Sequence, residues 1–589
     1  MNYPIWDLPS SGLLIAGIAI LHVFISHFAV GGGLFLVLAE RRARRTGDAE
    51  FLGYVIRHSR FFVLLTLVLG AVTGVGIWFT IGLVHPAGTS SLIQTWMWVW
   101  AIEWTFFATE IAAALVYYYG WHRLDPATHL AVGWVYFWSA WLSLFAINGI
   151  LTFMLTPGAW VTTRSLLDGF FNPTFWPSLV ARTAGAAGLA GVYALVTAAW
   201  ERDPTLRARV SRFAALGWIL PMAVVLPAAL VWYLAAAAGA GVPVAALLGA
   251  RSGTATGILR ALLSGADSGQ PITRFAGMLM IWASLTCLAL VLAAQWQRLR
   301  RAPRAIALAI AACALVTLGG AEWVREGLRK PYVIGQFMFV NGVRLPAPAP
   351  VHALAGAHAA RVAQDPFDLA HLSRAGVLTA ARWTRPASDA LQGLDRTLHD
   401  GSEVYRLLCA SCHSVDHYNA VRPLVRGRPV EALDGMLARL ATPAAATGGP
   451  GEWTDPAVRL VTWRDRAMPP FAGTDGERRA LAVYLASLGG ATRESLEAKP
   501  AVADPGVAFF EANCAMCHGV DGQWPMAGRP RRDAAAFYEL LGALPRINEL
   551  MPEFTGSEAE RRAVAAHLAV LTGHGSTPAP TTPALEIPR

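Results

Sequence analysis

Charge is scarce in this 589-residue chain: Asp, Glu, Lys and Arg make up 15% of it, against 54% hydrophobic residues. That scarcity excludes a wholly soluble molecule and indicates a membrane protein. Cysteine is scarce as well. Of the six, Cys287 and Cys313 lie in apolar stretches where packing is their expected role. The other four form two C-x-x-C-H motifs, which leaves no disulfide framework. A basic leader is missing too: M-N-Y-P-I-W-D-L-P-S carries only Asp7, and the apolar stretch after it is long enough to stay as an anchor. The formal charge of +9 does not point to nucleic acid, because the arginines concentrate in short connections where they set membrane topology.

What is present divides in two near residue 335. Before it, apolar stretches near 11–39, 60–84, 92–119, 128–155, 176–200, 213–237, 272–296 and 305–327 predict about eight transmembrane helices in an all-α bundle over 1–340. Arginines cluster in alternate connections: Arg41, Arg42, Arg44, Arg45, Arg57 and Arg60, then Arg123, then Arg202, Arg207, Arg209 and Arg212, then Arg298, Arg300, Arg301 and Arg304. The positive-inside rule turns these to the cytoplasm and both termini to the periplasm of a bacterial inner membrane. Trp6, Trp160 and Trp176 near span ends suit an aromatic belt.

After it, residues 341–398 read as a periplasmic Pro/Ala-rich linker with some helix wrapping the membrane body. One module is then written twice, over 399–491 and 498–575, before a disordered tail at 576–589. Each copy has C-x-x-C-H (Cys409, Cys412, His413; Cys514, Cys517, His518), a later Met-Pro (Met468; Met551) and a final amphipathic stretch. The two thiols bond covalently to haem vinyl groups and the adjacent histidine binds iron, so two haem c groups are expected. A zinc or thioredoxin-like site is the weaker alternative, since neither motif sits in a strand-alternating pattern. Both modules resemble class I cytochromes c, with His413 and His518 proximal and Met468 and Met551 distal. Met526 is the alternative for the second haem. Attachment of this kind occurs outside the cytoplasm, in agreement with the charge rule.

In the membrane half, Trp98 to Glu110 reads W-V-W-A-I-E-W-T-F-F-A-T-E and sets Glu103 and Glu110 in apolar surroundings. An ionisable group there needs a partner, a metal or a proton. His22 and His27 share the first span, but a five-residue step turns them too far apart to face one partner. His22 and Glu103 lie about 13 and 16 Å in from the outer ends of their helices, a depth at which they can meet. Membrane histidines more often hydrogen-bond for packing; a carboxylate at matching depth turns the reading towards iron. Glu110 and His27 sit deeper, as a polar pair that either passes protons or satisfies itself. On the last span Glu322 and Glu326 share one face, as one iron ligand among cations, Arg325, Arg329 and Lys330, suited to haem propionates. For Lys330 a snorkelling interfacial role is preferred.

The ordered motifs I-L-H-V-F, V-L-G-A-V-T-G-V-G-I-W-F-T-I-G, A-I-E-W-T-F-F-A-T-E, G-W-H-R-L, I-N-G, R-F-A-G-M and G-L-R-K-P-Y-V-I-G resemble subunit I of cytochrome bd-type quinol oxidases over about residues 10–340. The resemblance implies that His22 and Glu103 serve an oxygen-binding haem of type b or d. It further implies that Glu110 belongs to a proton route and that Glu322 or Glu326 serves a second high-spin haem. Met278 matches the family's low-spin methionine, but the fifth span reads L-V-A-R-T-A-G-A-A-G and has no histidine. The long quinol loop is replaced by a short segment around Val242 to Gln270, a ninth helix is missing, and the two glutamates stand one residue closer than in the family. The expectation is a respiratory electron-transfer protein joining periplasmic c-haems to a membrane haem and reducing dioxygen. The alternative is a conduit or quinol:cytochrome c oxidoreductase subunit of a larger respiratory complex, without oxygen chemistry. Its expected partners are lipid, a second membrane subunit or larger complex, and a periplasmic electron carrier.

Overall fold

The computed structural model describes residues 11–573 except 249, 251–252, 265–270, 296–302, 346–366, 442–467, 498–503, 519–525, 527–528, 548–550 and 552, together with Tyr3, Trp6 and Leu8. Arg298, Arg300, Arg301, Gln270 and the tail at 576–589 therefore lie outside the described residues. Among those described, eight helices are long and apolar enough to cross a membrane. They are, as first to eighth span, Gly12–Thr46, Ala49–Val84, Pro86–Gly120, Pro126–Leu155, Phe175–Ala198, Pro204–Gly239, Ile272–Ala294 and Pro303–Arg329.

The second and sixth spans begin well before the apolar stretch does, because an aspartate starts each helix early. Asp48 accepts from Phe51 N, and Asp203 from Thr205 N and Leu206 N. Asp125 caps the fourth span likewise, with Pro126 in the first turn where its missing N–H is harmless. These caps lie on the side of the arginine clusters, where Arg57 pairs with Glu201 and Arg209 with Asp48 and Glu50. Both early helices pass through π-helical turns, Leu64–Gly70 and Ala215–Ile219, on their way into the bundle.

The first span is the hub. Its Gly31-Gly32-Gly33 run meets three neighbours: a Cβ on Gly31 would stand 1.9 Å from the Ala186 carbonyl oxygen, one on Gly32 2.7 Å from Phe62, and one on Gly33 2.3 Å from Tyr136. One glycine thus admits each of the fifth, second and fourth spans. The second and third spans keep a bare apolar face, with Val75, Phe79, Trp98 and Trp104 exposed, towards lipid or a further subunit.

At the outer end the chain leaves the eighth span through a small antiparallel hairpin, Tyr332–Ile334 with Met338–Phe339, a short β addition to a mostly helical fold. Tyr332, Phe339 and Val343 pack into one core with Val404, Leu408 and Leu481 of the first C-x-x-C-H module. The described part of the 341–398 stretch joins that same core through Phe367, Leu372 and Val377, and Glu477 accepts from Val377 N and Leu378 N. It therefore completes the first module instead of wrapping the membrane body. Trp160 also departs from expectation. It is buried between Phe153 and Phe337 with Arg164 over its ring, whereas Trp6 and Trp176 are exposed as a belt requires.

Replacing Gly31 with Ala should destabilise the bundle by about 1–3 kcal/mol, since the first and fifth spans must part. Gly17, with nothing within 4 Å of its Cβ position, is the control, and Gly17→Ala should leave thermal unfolding in detergent unchanged.

Candidate functional site

Helix Gly393–Leu408 delivers Cys409 at its C-terminus, and the chain then turns so that His413 N donates to Cys409 O at 2.9 Å. His413 Nδ1 lies 3.1 Å from Asn419 O. A carbonyl only accepts, so Nδ1 carries the proton and Nε2 keeps its lone pair for a metal. Asn419 holds this loop in a left-handed conformation (φ 55°) and donates to Cys412 O at 2.8 Å. Burial, helped by Cys412, pushes the Cys409 thiol up to about 12.

The second module repeats the plan. Helix Pro505–Asn513 leads into Cys514, and Cys517 and His518 lie on the short turn of helix after it. The closing helices, Asp475–Leu488 and Glu558–Leu571, both begin with a reciprocal capping box, Thr474 with Glu477 and Ser557 with Glu560. Met468 and Met551 each stand a few residues before those helices. Met526 donates its backbone N–H to His518 O at 3.0 Å and packs with Cys514 on the module's core. The two modules join where Arg428 donates to Ala515 O at 3.0 Å, inside the second C-x-x-C-H.

The first C-x-x-C-H edge lies on the membrane bundle. Cys412 packs against the cluster of Trp96, Phe153, Trp160 and Phe337 at the outer ends of the third and fourth spans. Tyr418 crosses Trp323 edge-on at 6.3 Å and sits over Gly12, while Asn341 donates to Leu408 O at 3.2 Å. Lys330 is half-buried here, 3.0 Å from Glu326. Burial opposes its charge, but Glu326 more than offsets that and raises its pKa. Its ammonium is held by Glu326 and lies within electrostatic range of Cys412 in the first module.

Below this junction His22 Nδ1 meets Thr73 Oγ1 at 3.0 Å, and that hydroxyl already donates to Leu69 O at 2.7 Å. Thr73 must then accept from His22, which leaves Nε2 with a lone pair for iron. The second span measures depth. Gly74 lies against the His22 ring, and Trp78, four residues further out, meets Trp100 of the third span at 4.9 Å. Glu103 is three residues inward of Trp100, so it and His22 share a level to within about one helical rise. Glu103 accepts from Ser143 at 2.7 Å and Glu110 from Tyr136 at 2.9 Å. His27 is not the partner of Glu110. Its Nδ1 is turned to Val23 O at 3.0 Å and its ring lies within electrostatic range of Arg182 and Glu322.

The family of cytochrome bd terminal oxidase subunit I matches residues 11–245, and that of cytochrome c oxidase, cbb3-type, subunit III matches 396–485 and 501–568. The chain joins a bd oxidase subunit I domain to two cytochrome c domains. Among solved structures, the bd oxidase from Geobacillus thermodenitrificans is similar over 56% of this chain and 89% of its own, at 14% identity and a TM-score of 0.46. No curated protein matches. Cytochrome c domains imply covalent haem c, and the bd subunit I family binds b and d haems. The Cys409, Cys412 and His413 geometry and the bare Nε2 of His22 fit such groups.

The match to the bd family ends before the last two spans, which hold Met278, Glu322, Glu326 and Arg329. In these spans the acidic side chains are engaged by cations. Arg182, at the place on the fifth span without a histidine, reaches Glu322 at 3.5 Å, and Arg325 holds the other Glu322 oxygen at 2.9 Å. Glu326 is taken by Arg329 and Lys330, and Arg329 also donates to Val333 O at 2.8 Å. Both carboxylates expected as iron ligands are thus neutralised by cations. Met278 is half-buried, and among the described residues no histidine of the fifth span faces it, so a His–Met low-spin haem does not fit. Sequence reasoning missed Arg182. The signal available was an arginine inside an otherwise apolar span, which requires an anionic partner.

Replacing His22 with Ala should abolish the high-spin haem signal of the purified protein while leaving the c-haem α-band unchanged. Loss of the c-haem absorbance instead would contradict the placement of His22.

Proposed function

We propose that this protein is the oxygen-reducing subunit of a respiratory oxidase fed from the periplasm, in which four electrons and four protons convert dioxygen to two waters. The supporting observation is the junction itself: the first C-x-x-C-H edge rests on the outer ends of the spans that carry His22 and Glu103 at one depth. A high-spin haem bound there would supply an iron that binds dioxygen and accepts electrons singly.

The chain's own residues supply the rest. A periplasmic carrier delivers electrons to the second cytochrome c domain, which is tied through Arg428 and Ala515 to the first, which in turn faces the membrane domain. Thr73 fixes the His22 ring with Nε2 bare. Glu103 stands at that level to hold and give up protons, and Glu110 refills it from two turns deeper. The Tyr136 hydroxyl reaches Ala29 O at 3.0 Å as well as Glu110, so the Glu110–Tyr136 bond forms with the proton on either oxygen. Members of the bd family work with a second membrane subunit, and the bare face around Trp98 and Trp104 is where one would sit.

A quinol:cytochrome c oxidoreductase is favoured by one separate feature, a cavity of about 980 Å³ at the outer ends of the fourth, sixth and seventh spans. It is lined by Pro227, Leu230, Met280, Arg329 and Tyr332, apolar with a few polar groups, as a flat amphipathic ligand requires.

Pyridine haemochrome spectra and oxygen uptake separate the readings. The oxidase should show two c-haems with b- or d-haem, and should consume oxygen when supplied with reduced cytochrome c. Haems inert to oxygen and carbon monoxide, with quinol-dependent cytochrome c reduction, would replace it by the second reading.

A further inference from the structure

The third and fourth spans face each other through three bonds spaced seven residues apart. Ser143 bonds Glu103, Tyr136 bonds Glu110, and His129 Nε2 bonds Tyr117 O at 2.9 Å. Seven residues rise about 10 Å, so the three rungs form one line running inward from the level of His22. The innermost rung holds more than its backbone bond. The Tyr117 hydroxyl donates to Glu40 Oε2 at 2.8 Å, Arg44 Nε donates to Glu40 Oε1 at 2.7 Å, and His129 Nδ1 lies 3.0 Å from both Glu40 oxygens.

That last contact requires a proton shared by its two partners. His129 Nε2 must already bear hydrogen, because its partner is a carbonyl. Two bare acceptors, Nδ1 and a carboxylate, would repel at 3.0 Å, so one further proton lies between His129 and Glu40. Glu40 and His129 are fully buried, and Arg44, a quarter exposed, leads from them to the arginine-rich inner face. Glu40, Arg44, Tyr117 and His129 are the ionisable groups in direct contact there, contributed by the first, third and fourth spans.

We infer that Glu40, His129 and Tyr117 form the inner proton inlet of this protein, filling Glu110 and through it Glu103. The inference rests on the oxygen-reducing reading and deepens it by naming where the protons are taken. A proton from the inner aqueous phase restores the one shared by His129 and Glu40 after that proton moves outward to the Glu110 carboxylate, so charge and atoms balance at each transfer. The interval between the inner and middle rungs, about 10 Å of helix, is flanked by buried Ala113, Ala114 and Gly133, with the Val37 and Tyr117 side chains packed over Gly133, so a proton crosses it when the Tyr117 ring swings aside and admits water.

The test uses the full chain in its native complex, reconstituted in liposomes, with oxygen uptake driven by reduced cytochrome c. Glu40→Gln should slow turnover about tenfold or more while the c-haems are reduced at the wild-type rate. Glu40→Asp, which keeps a carboxylate, should recover part of that loss. Tyr117→Phe, which removes one oxygen and keeps the ring, should slow turnover less and guards against misfolding of Glu40→Gln. Wild-type turnover in both Glu40→Gln and Tyr117→Phe would overturn the inlet and leave the oxidase reading intact. Absence of oxygen uptake by the wild type would instead sink the oxidase reading. Proton uptake accompanying chemical reduction of the membrane haem then decides the inlet alone: slowed in Glu40→Gln if it is correct, unchanged if it is not.

Discussion

Hydrocarbon gives an ionisable side chain no solvent, so each must be satisfied from another helix, and the arrangement of the whole bundle follows from how this chain meets that demand. Glu103 and Glu110 are satisfied by hydroxyls of the fourth span, which fixes the antiparallel register of the third and fourth spans. Glu322 is satisfied by Arg182 and Arg325, which draws the fifth and eighth spans together. Hydroxyl partners leave a carboxylate able to exchange a proton, whereas two guanidinium groups hold one permanently charged. The same kind of residue thereby sits in opposite settings: the third-span glutamates are bound by hydroxyls, as the proposed proton transfer requires, and Glu322 ties two spans together.

The second constraint is distance. The proposed electron transfer needs redox groups close together, and the fold gives the first cytochrome c domain and the exit hairpin of the membrane domain a single core around Tyr332, Phe339, Val404 and Leu408. A domain on a free tether would sample many orientations. Here Cys412 is packed among Trp96, Phe153 and Trp160, so the attachment edge stays on the bundle. The second domain touches the first at Arg428 and Ala515, inside the second C-x-x-C-H.

Local chemistry made much of this legible in the sequence. Eight apolar stretches yielded eight spans, two C-x-x-C-H motifs yielded two helical modules, and His22 and Glu103 share a level as their helix positions imply. What the sequence hides is a partner on a distant segment. Depth alone pairs His27 with Glu110, but its helix face turns it to Val23 O and within electrostatic range of Arg182. Family position suggests iron for Glu322 or Glu326 and does not reveal that one of the arginines paired with Glu322 stands 140 residues earlier in the chain. The stretch before Gly393 looked like a linker because its apolar residues follow no single period; they fill gaps in a core supplied by other elements. Glu40 and His129 carried no signal at all, since their proximity depends on a helix crossing.

The proposed function depends most on a single line of electron flow through the first cytochrome c domain. Rapid mixing of the full protein with reduced cytochrome c, followed at the c-haem and membrane-haem bands, tests it in two variants. With Cys514→Ala and Cys517→Ala, a small-molecule reductant should still reduce the membrane haem through the first c-haem. With Cys409→Ala and Cys412→Ala, the second c-haem should become reduced and the membrane haem should not. Reduction of the membrane haem at the wild-type rate in the latter variant would contradict the account.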